Sequence, residues 1–165
     1  MPSLLVLLLS LSGLVFFAVR LVTDPAAWPT SAVGVAACLL FAARNATLFR
    51  SNRTIETTPS LSEICDVATL DDALGSERAI LYKHSTRCPV SSVVINEVLR
   101  FGETHPDWKV YVLKVIERRG LSNTVADRLG VPHASPQAFV IKQGRCVWHT
   151  SHSGITEQRL SRHAA

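Results

Sequence analysis

The sequence predicts an α/β sandwich, a central mixed sheet flanked by helices, preceded by an N-terminal hairpin of two membrane helices. Three observations predict it. Two apolar runs fill the first 43 residues. From Leu61 onward, short runs rich in Val, Ile and Tyr alternate with stretches of helical period. Near the end, two apolar runs face each other across Gln143-Gly144, the signature of a β-hairpin with a two-residue connection.

The first apolar run, Leu4 to Val19, is broken only by Ser10, Ser12 and Gly13. The second extends from Ala26 to Ala43 and is diluted by Pro29, Thr30, Ser31 and Gly34. Each has roughly 16 to 18 residues, the lower edge of what crosses a bilayer. Spans are expected at about 4–22 and 26–43, making residues 1–44 a membrane segment. A cleaved signal peptide fits less well, because no basic region precedes Leu4 and Phe17-Ala18-Val19-Arg20 is a poor cleavage site. Arg44, Arg50 and Arg53 follow the second run, so the positive-inside bias places both termini, and the domain behind them, in the cytoplasm at the cell membrane. Residues 45–60, rich in Thr, Asn and Arg with Pro59 near the end, read as a linker. The remaining 61–165 make one domain.

Within that domain, Leu61 to Val67 leads into a helix expected over Thr69–Leu74, opened by Thr69 with Asp72 three residues on and closed by Gly75. Arg78 to His84 is a strand. Pro89 to Glu103 places Val90, Val93, Val94, Val98 and Phe101 at helical spacing, with proline in the first turn. Trp108 to Ile116 is a strand. Leu121 to Leu129 is a helix with Ser122 as its expected N-cap and Gly130 as its stop. The strands Ala138–Lys142 and Arg145–Thr150 form the hairpin, and a helix over Thr156–His163 closes the chain. The order β-α-β-α-β-β-α, with a cysteine between the second strand and the long helix, describes a thioredoxin-like sandwich.

That cysteine, Cys88, sits where a helix begins. There the positive end of the helix dipole and unpaired backbone N–H groups favour a thiolate. Lys83 and Arg87 add positive charge nearby, although Lys83 lies in a strand and is free to face away. Three residues after Cys88 stands Ser91, so the pattern is C-x-x-S: Ser91 can hydrogen-bond a thiolate but cannot resolve a mixed disulfide. The topology brings three more segments to the same rim. Ser135-Pro136 precedes the first hairpin strand, and a cis bond at Pro136 is expected, opening the backbone of Ser135 to an extended peptide or thiol ligand. The end of the second hairpin strand returns His149 and His152, which can tune the thiol or bind an anion.

Composition excludes other classes. A net charge of +4 is mild and dispersed, with no block of Lys/Arg and no interleaved aromatics, so nucleic acid is not an expected partner. The four cysteines, Cys38, Cys65, Cys88 and Cys146, show neither metal-ligand spacing nor a secreted disulfide pattern, and no metal is expected. Cys146, mid-strand, reads as a packed core residue rather than a resolving thiol.

The segments Lys83-His84-Ser85-Thr86-Arg87-Cys88-Pro89-Val90-Ser91, Ser122-Asn123, Val131-Pro132-His133-Ala134-Ser135-Pro136-Gln137 and Val147 to Thr156 together resemble the YtxJ family, monothiol bacilliredoxin-like proteins of the bacillithiol system. The resemblance covers about Leu61 to Ala165. It implies a thioredoxin-like fold and removal of bacillithiol from protein mixed disulfides, with Cys88 as nucleophile, bacillithiol as thiol co-substrate and bacillithiolated proteins as clients. Bacillithiol joins cysteine to glucosamine and malate, and its carboxylates give a chemical reason for Lys83, Arg87, His149 and His152. The two apolar runs have no counterpart in that family, whose members are usually small and soluble. The expectation is therefore a membrane-tethered monothiol oxidoreductase that needs no cofactor. Its rivals are a non-catalytic thioredoxin-like binding module using the same groove and a dithiol enzyme pairing Cys88 with Cys146.

Overall fold

The computed structural model of the chain describes residues 2–24, 26, 28–58 and 60–165. It divides into two compact units, 1–50 and 51–165. The first contains helix α1 (Pro2–Thr23) and most of helix α2 (Trp28–Thr57). Among the described residues one helix is long and apolar enough to cross a membrane, over Thr30–Glu56, with a mean hydropathy of 1.6. Leu11–Thr23 forms a shorter apolar helical stretch.

The expected linker at 45–60 is instead helical as far as Thr57, and Pro59 at its end lies outside the described residues. The polar residues that suggested a linker are accommodated by the helix itself. Asn45 Nδ2 donates to the Phe41 carbonyl at 2.7 Å, and Thr47 Oγ1 to that of Ala43 at 3.0 Å. Hydroxyls that bond back one turn neither need nor break a helix. The final turns of α2 belong to the second unit: Ile55 is buried in its core, and Glu56 pairs with Lys114 at 3.6 Å.

The second unit is built on a five-stranded sheet in the order β1-β3-β2-β4-β5. Strands β1 (Leu61–Glu63), β2 (Arg78–His84) and β3 (Lys109–Lys114) are parallel. Strand β4 (Gln137–Lys142) runs antiparallel to β2, and β5 (Arg145–Ser151) antiparallel to β4. The ends of β1, β2, β3 and β5 and the start of β4 therefore share one rim. Gln143 and Gly144, at φ 49° and 71°, make the left-handed turn that a two-residue hairpin requires.

Strand parity sorts the core into two layers. Ile80, Tyr82, Val110, Val112, Ala138 and Val140 face one side, packed with Val94, Ile95, Val98 and Phe101 of α4 (Pro89–Thr104) and Leu160 of α6 (Glu157–Ala164). Ala79, Leu81, Tyr111, Leu113, Phe139 and Ile141 face the other, against Leu70 and Ala73 of α3 (Val67–Gly75) and Val125 of α5 (Arg119–Leu129).

Two helix starts differ from expectation. Helix α3 begins at Val67 because Asp66, not Thr69, is the cap: its Oδ1 accepts from the Thr69 N–H at 2.8 Å and from the Thr69 hydroxyl at 2.7 Å. That pair of donors also holds the Asp66 carboxyl below the usual carboxylate range. Helix α5 begins at Arg119, so Ser122 is not its cap but a fully buried residue of the first turn. Its hydroxyl meets the His133 Nδ1 at 3.1 Å.

Candidate active site

Strand β2 delivers the chain to the rim, and Ser85–Arg87 turn it into α4. Cys88 is the residue before the helix, in extended conformation (φ −102°, ψ 117°), and its side chain makes no capping hydrogen bond. It is half-buried, and its N–H donates to the Ser85 carbonyl at 3.2 Å, closing the turn. Pro89 has no N–H, so the first amides available at this helix end are those of Val90 and Ser91, for which no preceding helical carbonyl exists. Positive dipole, unpaired amides and an uncommitted thiol coincide at one atom, the Cys88 Sγ.

The residues expected to surround the sulfur divide into two groups. Ser91 is fully buried, and its Oγ accepts from the Ser85 N–H at 3.2 Å, while its carbonyl accepts from the Tyr82 hydroxyl at 3.1 Å. It braces the turn that carries Cys88. Arg87 is exposed beside the thiol in the chain. The Ser135–Pro136 peptide bond is cis, and the Pro136 carbonyl accepts from the His152 N–H at 3.0 Å, fastening the end of β5 to the same loop. His152 has φ 53°, opens a short 3-10 turn over His152–Gly154, and is exposed.

Lys83 and His149 lie elsewhere. Parity turns Lys83 to the α3/α5 face, away from α4. Its Nζ stands 5.7 Å from the centre of the Phe139 ring, fully buried and without a hydrogen-bond partner. Burial, with the Arg119 charge adding to it, pushes the ammonium down to about 8. Lys83 is therefore not placed to act on the thiolate as the sequence suggested. His149 flanks the same Phe139 ring at 6.1 Å, so it does not pair with His152. His84 faces the α4 side beside the Tyr82 ring at 5.8 Å; burial, reinforced by Lys114, pushes it down to about 4, so it is neutral near pH 7.

Cys146 lies far from Cys88. Cys146 pairs with Ile141 in the hairpin, whereas the rim is marked by Gln137 opposite Ser151. Four residues of antiparallel strand are roughly 14 Å. A disulfide needs Cα atoms within about 7 Å, so a dithiol formed with Cys146 is sterically excluded. Burial also pushes the Cys146 thiol up. The four cysteines are free of disulfides.

Beside Cys88, the exposed Val90 and Val93, with Pro89, Val94 and Ile155, line an apolar groove of about 470 Å³. It joins the first turns of α4 to the segment after β5.

Comparison with known proteins fits this geometry. The family model for the monothiol bacilliredoxin BrxC matches residues 59–160. The chain belongs to the monothiol bacilliredoxin family. A solved structure described as a candidate oxidoreductase with a thioredoxin fold is 26% identical, covering 64% of this chain and 95% of its own, with a TM-score of 0.61. Mitochondrial thioredoxin 3 from Saccharomyces cerevisiae shares the fold at 14% identity, 64% and 93% coverage and a TM-score of 0.52. Thioredoxin O2 from Arabidopsis thaliana does so at 24% identity, 62% and 90% coverage and a TM-score of 0.52. This bacilliredoxin thus has a thioredoxin-like fold and belongs with proteins of thiol redox chemistry, whose partners are low-molecular-weight and protein thiols.

Three residues around these positions were not among the candidate site residues read from the sequence. Tyr82, six residues before Cys88, holds the first turn of α4 through its hydroxyl, and burial pushes its phenol up, with the Cys88 charge adding to the effect. Its inward parity in β2 was the available signal. Arg119 and His133 lie on the same face of the sheet as Lys83, and nothing in their spacing announces it.

Proposed function

We propose that the protein is a membrane-held monothiol disulfide oxidoreductase that removes bacillithiol from protein cysteines through Cys88. The observation that carries this reading is one accessible thiol at a helix N-terminus, beside the cis Pro136 loop, with Cys146 held well down the hairpin from it. The Cys88 thiolate attacks the bacillithiol sulfur of a mixed disulfide. The old S–S bond breaks, the client cysteine leaves as thiolate, and bacillithiol remains on Cys88. A second bacillithiol thiolate then attacks that adduct, forming the symmetric disulfide and freeing Cys88. Ser91 and Tyr82 hold the turn, the α4 amides and Arg87 favour the thiolate, and Ser135, Pro136 and His152 meet the substrate. In this reading α1 and α2 form a membrane hairpin with both termini in the cytoplasm. The apolar stretch of α2 supports the anchor, and Arg44, Arg50 and Arg53 support its orientation.

The test is the intact mass of the full chain in detergent after exposure to oxidised bacillithiol. One bacillithiol per chain is expected, removable by excess free thiol. An unmodified protein would sink the enzyme reading and leave the binding module.

The apolar groove supports protein clients. Exposed valines beside a nucleophile suit the flank of a client chain, not a polar sugar thiol. Val93→Asp should lower the efficiency toward a bacillithiolated protein about tenfold, the equivalent of one lost apolar contact, while leaving oxidised bacillithiol within twofold. Equal losses with both substrates would remove the groove from client recognition.

A further inference from the structure

Lys83 poses an unsolved electrostatic problem on the face opposite α4. An ammonium taken out of water without a partner costs several kcal/mol by general estimates, and such groups occur where something compensates them. Here the compensation among the described residues is the Phe139 ring, 5.7 Å from the Nζ, with no counter-charge and no hydrogen bond. The Nζ is fully buried and makes no hydrogen bond, and among the described residues neither Lys83, Arg119 nor His133 forms an ion pair.

Its surroundings add more positive charge. Arg119 is the first residue of α5, and Ser122 in the same turn holds the His133 ring at 3.1 Å. The charges of Lys83 and Arg119 both bear on His133, whose pKa is lowered first by burial and then by these two. Arg119 and the imidazole thus stand at the first turn of α5, a helix end that already favours an anion, on the face of the sheet to which Lys83 is turned. Helix α5 has 11 residues and no side-chain cap at its start. Both Arg119 and His133 are exposed, so a ligand approaches from solvent. Glu117, two residues before Arg119 in sequence, is engaged by the Thr86 hydroxyl at 2.8 Å.

This cluster borders the active-site loop. Lys83 stands opposite Gln137 in the β2–β4 ladder, and the Gln137 amide holds the loop 132–134 through the Pro132 carbonyl at 3.1 Å and the Ala134 N–H at 3.3 Å. Ser135 and Pro136 complete that loop, and the Ser135 Oγ is itself buried without a partner. Two unsatisfied polar atoms flank the segment on which the thiol substrate is proposed to lie.

We propose that Lys83, Arg119 and His133, at the first turn of α5, form a carboxylate-binding site that holds the acidic end of the low-molecular-weight thiol while its sulfur reaches Cys88. The assignment rests on the exchange reaction proposed above. It gives Lys83 a role in substrate recognition instead of thiolate stabilisation. A carboxylate there supplies the hydrogen bonds and the counter-charge that the buried ammonium lacks.

Two measurements on the full chain in detergent test it, using wild type, Lys83→Met and Arg119→Gln. The first is the rate of adduct formation at Cys88 with oxidised bacillithiol and with bis(2-hydroxyethyl) disulfide, which carries no charge. Each variant should slow the first reagent about tenfold, as expected for one lost charge-assisted hydrogen bond, and leave the second within twofold. Equal slowing of both, or of neither, overturns the site. The second is thermal stability in malate and in inorganic phosphate. Malate should raise the Tm of wild type but not of either variant. No rise with malate, or a rise with phosphate alone, overturns carboxylate recognition. If wild type forms no adduct with either disulfide, the exchange reading fails, and the malate measurement still decides the site by itself. Arg119 is exposed, so its variant keeps the test valid should Lys83→Met not fold.

Discussion

Replacing Cys88 by Ser should slow adduct formation with oxidised bacillithiol by at least about a thousandfold, the usual scale for loss of a nucleophile. Serine fits the site, since Cys88 makes no side-chain hydrogen bond and only its backbone shapes the turn. Its hydroxyl remains protonated, and His84, the imidazole nearest in the chain, is buried on the α4 side. The companion variants give the expectation its edge. Cys146→Ser should leave the rate within twofold, because the register keeps Cys146 roughly 14 Å down the hairpin from the rim. Stopped-flow mixing followed by acid quench and mass measurement reads all of these. A Cys146→Ser protein as slow as Cys88→Ser would contradict the strand register and restore a two-thiol mechanism.

Phe101→Ala should destabilise the second unit by about 3–5 kcal/mol, a large part of what a domain of this size has. Phe101 is fully buried on α4, stacked on His105 at 4.3 Å and edge-on to Trp108 at 5.7 Å. Truncation removes a fully buried ring and leaves a cavity in a layer held by side chains from β2, β3, β4, α4 and α6. Chemical denaturation followed by tryptophan fluorescence measures it. A loss below 1 kcal/mol would mean that the α4 layer repacks freely. The same helix carries Cys88 at its start, so the activity of the variant at low temperature reports whether the N-terminal turn survives independently of its far end.

The elements most legible in the sequence were those governed by short-range rules. Pro89 in a first turn, Gly130 closing α5 at φ 63°, and the Gln143-Gly144 connection are local choices of backbone conformation, and each stands in the structure. The succession of strands and helices along the chain followed from the alternation of runs. Less legible were features decided by partners distant in sequence. The polar stretch after Ala43 looked like a linker because its composition is that of one, yet Ile55 finds a place in the core and continues the helix. Lys83 looked close to Cys88 because only four residues separate them, but the parity of β2 turns Lys83 to the face opposite α4, the helix that Cys88 caps. Ser122 had the chemistry of a cap and was used instead to hold His133. In each case tertiary contact overrode a local preference of a few tenths of a kcal/mol to about one.

Where the helix α2 ends has a practical bearing on how the second unit is obtained without its apolar companion. A gene shortened to start at Leu61, the first strand residue, would strip Ile55 from the hydrophobic layer and leave Lys114 with Glu63 alone, at 2.9 Å. A start at Ser51 retains both the isoleucine plug and the second carboxylate. The choice of ten residues separates a trimmed fold from a wounded one.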